Sequence, residues 1–108
     1  METWDIRSMA IEPHHPQVLR SDDETRAIAI HLPAGEELQE HQVHERSYML
    51  VADGEVEISG DGKNVTGGAG FLSHFAPNER RTVRATSDAR LLLVLAPWPG
   101  AGHPSRAG

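Results

Sequence analysis

The chain has 108 residues, enough for one domain with a single modest core, and 38% hydrophobic residues suffice to build it. Ten basic against sixteen acidic side chains give a net charge of −6, which argues against a nucleic-acid footprint. The absence of cysteine removes disulfide scaffolds, thiolate zinc sites and cysteine nucleophiles, whereas seven histidines stand beside a single lysine and need an explanation.

Residues 1–16 read as an N-terminal arm. They are acidic early, lack the apolar run of a signal peptide and end on the Pro13-His14-His15-Pro16 turn, so cytoplasmic residence is expected. Nowhere does the chain approach the roughly 18 consecutive apolar residues of a membrane span. Residues 17–96 carry short candidate strands at 25–32, 37–42, 47–52, 55–59, 71–75, 81–85 and 89–96. Asp53-Gly54 and Asp61-Gly62 read as hairpin turns, because both pairs tolerate the positive φ a tight turn demands. No segment shows an amphipathic helical period with caps, so an antiparallel all-β sandwich or barrel is expected. Residues 97–108 form a tail rich in Pro and Gly. His14, His15 and His103 fall in these terminal segments and read as solvated; His31 reads as near the surface.

Two strands break the alternation of a half-buried strand. Tyr48-Met49-Leu50-Val51 and Leu91-Leu92-Leu93-Val94-Leu95 ask for burial on both faces. A homodimer that covers the C-terminal strand is the preferred explanation; the other is a central strand covered by the arm, with Trp4 as the covering residue. By parity Met49 and Val51 share the core face of Ser47, while Tyr48 faces away. Phe71, Leu72, His74 and Phe75 read as packing residues.

The stretch from Gly35 to Ala85 resembles the two conserved motifs of the cupin superfamily, small jelly-roll barrels that enclose a ligand or metal cavity. The first motif is G-x5-H-x-H-x3-E-x6-G. Gly35, His41 and Gly54 match it, with Val43 and Ser47 at the second His and the Glu. The second is G-x5-P-x-G-x2-H-x3-N. There Gly70 matches, and Ala76, Asn78, Arg81 and Ala85 stand at the Pro, Gly, His and Asn. The resemblance implies an antiparallel jelly-roll barrel. It also implies that the family's metal positions here hold His41, Val43, Ser47 and Arg81, a poor set for a divalent cation.

Arg81, Val83 and Ala85 share one face of their strand. If that face is the inner one, a buried guanidinium needs an answer, from Glu40, Glu79, a carbonyl or an anionic ligand held bidentately. The alternative, slightly favoured by the sequence alone, turns Arg81 outward to keep its charge in water. Three functions follow. In the first, His41, Arg81, Gln39 and Ser47 bind a small molecule such as a carboxylate, with no cofactor and no catalysis. In the second, His41, His44 and His74 hold a divalent transition metal for a dioxygenase or isomerase, which requires a β-bulge between His41 and His44. In the third, the barrel is a dimerising or partner-binding module. We favour the first reading.

Overall fold

The computed structural model describes residues 1–38 and 43–97. Its strands are β1 (Gln17–Ser21), β2 (Arg26–Leu32), β3 (Glu37–Leu38), β4 (Arg46–Asp53), β5 (Val56–Gly60), β6 (Lys63–Gly67), β7 (Leu72–Phe75), β8 (Thr82–Ala85) and β9 (Ala89–Ala96). They pair antiparallel in two sheets of order β1-β2-β9-β4-β7 and β3-β8-β5-β6. The described residues contain no helix. This is the expected all-β jelly roll, and its core lies between the inner faces of the two sheets.

Strand parity sets that core. In the five-stranded sheet, β9 lies between β2 and β4, with Leu91 opposite Ile30 and Val51, and Leu93 opposite Ile28 and Met49. In the four-stranded sheet Val83 stands opposite Ile58 and Leu38, and Ala85 opposite Val56. Met49 and Val51 are buried as their parity with Ser47 requires. Val83 and Ala85 are buried too, so the inner face of β8 is the one the alternation gives.

Three structural findings depart from the sequence reading. Strands β1 and β6 were not expected, because QVLRS and KNVTG are mostly exposed and carry no apolar alternation. Asp61-Gly62 does close the β5–β6 hairpin, with both residues at positive φ. Asp53-Gly54, by contrast, carries the chain from one sheet to the other rather than closing a hairpin. A Cβ on Gly54 would lie 2.2 Å from the backbone oxygen of Asp88, and its φ is +80°, so the crossover demands glycine. Leu72 and His74, expected to pack inside, lie exposed on β7. Their register opposite Leu50 and Tyr48 puts them on the outer side of the sheet.

The arm is partly docked. Arg90 donates from Nη1 to the carbonyls of Ile6 and Met9, and Ile11 is buried. His31 bridges the Ile11 carbonyl at 3.1 Å and Asp88 Oδ1 at 2.8 Å. The arm therefore rests against one edge of the outer face of β2 and β9, while Trp4 itself is exposed.

Candidate functional site

The two ends of the barrel differ. At one end the short connections 33–36, 54–55, 68–71 and 86–88 cross between the sheets and are laced to one another. Gly35 N–H donates to Ala85 O at 2.8 Å, Thr86 N–H to Glu55 O at 2.9 Å, and Gly70 N–H to Val51 O at 2.7 Å. Beneath them Val51, Val56, Ala85, Ala89 and Leu91 are all wholly buried. This end is sealed. The described connections at the other end are 43–45 and 76–81.

There the sheets enclose a cavity of about 160 Å³. Pro16, Ile28, Ile30, Leu38, Val83 and Leu93 line it, and Arg81 is the one charged group in its described wall. Arg81 is the last residue of the 76–81 connection, two residues before the buried Val83, and lines the cavity. Its Cζ stands 4.6 Å from the ring centre of Phe75, a cation–π contact with a buried ring. The outward alternative for Arg81 is thereby replaced by a half-buried, inward one.

Burial lowers the pKa of the guanidinium, and the nearby charge of Glu79 offsets that only in part. Among the described residues no carboxylate lies within ion-pair distance of Arg81. Glu79, one of the expected partners, accepts a hydrogen bond from Ala76 N–H at 2.9 Å. Arg81 also lines an outer depression of about 260 Å³, together with Ser59, Lys63, His74 and Glu79. The side chain thus forms part of the partition between the cavity and the surface.

Ser47 is wholly buried on the same inner face, opposite Phe75 on one side and Leu95 on the other. Its Oγ meets no hydrogen-bond partner among the described residues. A hydroxyl buried without a partner costs about 1–3 kcal/mol, so its presence there calls for an answering group. Glu45, two positions earlier with the same parity, is 2% exposed. Sequence reading passed over it, although the period of two through 45, 47, 49 and 51 was available to find it. Phe75 was assigned to packing alone; its role as the platform for Arg81 depends on the β4–β7 pairing and had no sequence signal.

The other candidates separate. Gln39 and His41 lie outside the described residues. His44 hydrogen-bonds through Nδ1 to Asn78 Oδ1 at 3.1 Å, and Asn78 N–H donates to Val43 O at 2.8 Å. His44 therefore helps tie residues 43–44 to the 76–81 connection. His74 stacks at a tilt on Tyr48, ring centres 5.0 Å apart, on the outer face of the sheet. His14 pairs with Glu36 at 3.3 Å near the arm.

The family's metal positions can be tested against this geometry. Val43 offers no donor and Arg81 brings a fixed positive charge toward the interior. His74 belongs to the outer face and His44 is engaged by Asn78. Among the described residues no three His, Asp or Glu groups converge as metal ligands do. The described donors do not fit a divalent ion.

A family model for the cupin domain matches residues 28–96. Among solved structures, the chain is similar to an RmlC-like cupin protein from Desulfovibrio desulfuricans, with 21% identity and a TM-score of 0.79. That match covers 90% of this chain and 97% of the other. A cupin superfamily protein from Desulfitobacterium hafniense matches with 12% identity and a TM-score of 0.78, over 88% and 90% of the two chains. An RmlC-like cupin from Shewanella frigidimarina matches with 21% identity and a TM-score of 0.74, over 84% and 86%. No curated protein sequence matches the chain.

Proposed function

The chain belongs to the cupin domain family, and we propose that it is a non-catalytic member that binds a small anionic molecule at the end of its barrel bounded by residues 76–81. One observation carries the reading. Arg81 is held half-buried against Phe75 in the wall of an otherwise apolar cavity, with no carboxylate at ion-pair distance among the described residues. Glu79 offsets the burial of this guanidinium only in part, and a bound anion would return the rest of the cost. The Oγ of Ser47, without a hydrogen-bond partner among the described residues, supports the same end of the barrel as the polar one. Gln39 and His41 enter the proposal on their sequence positions alone, as polar groups for the anionic end of the ligand beside Arg81.

The test is the melting temperature in the presence of small organic acids at fixed ionic strength. The proposal predicts that at least one acid stabilises the wild type in a saturable way and that Arg81→Ala abolishes the effect. If no acid stabilises the wild type, the reading falls.

We further propose that a second copy of the chain covers the outer face of the five-stranded sheet. Tyr48, Leu50, Leu72, Leu92 and Val94 lie on that face, and Leu72 is 60% exposed. Sedimentation should report a dimer that Leu72→Glu converts to a monomer; a wild-type monomer would remove this part of the proposal.

A further inference from the structure

We infer that the ligand of this cavity is a monocarboxylate with a compact apolar tail, of the size of an aromatic ring or a short branched chain. This rests on the anion-binding reading above and adds the chemistry of the rest of the molecule. Two features of the wall set that chemistry.

The first is charge. Arg81 supplies one positive charge, and no second cation stands in the described wall of the cavity. A dianion placed there would carry an unneutralised charge into apolar surroundings, in a protein whose net charge is already −6. A single carboxylate balances the guanidinium and matches its planar fork through two parallel N–H···O bonds. The stacking of Arg81 on Phe75 fixes the guanidinium on an apolar surface, so less of its freedom is lost on binding.

The second is shape. Beyond Arg81 the described walls are Pro16, Ile28, Ile30, Leu38, Val83 and Leu93, without a hydrogen-bonding side chain. A sugar or a hydroxy acid would leave its hydroxyls unsatisfied against these residues. An apolar tail would be rewarded instead. At about 160 Å³ the space is close to the roughly 150 Å³ of an apolar cavity that accepts benzene. The ligand therefore reaches Arg81 with its carboxylate and fills the interior with its tail.

Titration of the full chain with acetate, 3-methylbutanoate, benzoate, sulfate and the neutral analogue benzamide, at matched ionic strength, tests this. Affinity should rise roughly fourfold for each apolar carbon added to acetate until the cavity is full. Benzoate and 3-methylbutanoate should then bind more than about tenfold tighter than acetate, sulfate or benzamide. Ile28→Phe, which fills the cavity from a half-buried position, should remove that advantage while acetate binding is retained. Leu93→Phe gives a second variant should the first fold poorly. Equal affinities for acetate, sulfate and benzoate would overturn the tail while leaving the anion site standing. Equal affinities for benzoate and benzamide would overturn the pairing of the carboxylate with Arg81. Binding of none of the five would sink the anion reading itself.

Discussion

The sealed and loose ends of this barrel are built from the same strands, yet they are packed to different ends. Around Leu91 every inward residue of β4, β5, β8 and β9 is wholly buried, and short crossovers hydrogen-bond across the top. Around Leu93 lie a cavity, a half-buried guanidinium and a hydroxyl without a partner among the described residues. The contrast predicts that truncating a residue at the sealed end costs more stability than truncating one at the cavity wall.

Mutations can break or sharpen that contrast. Leu91→Ala should cost about 3 kcal/mol in urea denaturation, because it empties a fully packed site. Leu93→Ala, at the cavity wall, should cost about half as much or less. Equal costs would mean that the two ends are packed alike. Gly54→Ala should cost about 2 kcal/mol, since it forces a side chain onto the Asp88 carbonyl at a positive φ.

The loose end should respond in the opposite direction. Arg81→Met should raise the stability of the ligand-free protein by about 1 kcal/mol, by replacing a poorly hydrated charge with an apolar chain. A loss of stability would show that the cation–π contact with Phe75 outweighs the burial of the charge. Ser47→Ala should be the mildest change, neutral or stabilising by less than about 1 kcal/mol, because its Oγ has no described partner to lose. A large loss would reveal a partner for that hydroxyl.

Alternation and turn chemistry were enough to read much of the core and one hairpin. The parity of Met49, Val51, Val83 and Ala85 is the observed one, and Asp61-Gly62 closes its hairpin. Strands β1 and β6 were illegible because they are polar and exposed, so their pairing leaves no apolar period to read. The same limit applied to the site. Parity allowed an inward Arg81, but the sequence alone slightly favoured the outward one, and its seat on Phe75 depends on elements brought together by the fold. His74 shows the converse: its apolar neighbours suggested a core position, and the register with Tyr48 places it outside. Glu45 was legible by period and was overlooked.

The measurement that bears most directly on the account is a calorimetric titration of benzoate into the wild type and into Arg81→Met. The account predicts a saturable, one-to-one isotherm with a negative heat-capacity change for the wild type, as burial of an apolar tail requires. It predicts no measurable binding to the variant. Binding of equal strength to both proteins, or to neither, would contradict it.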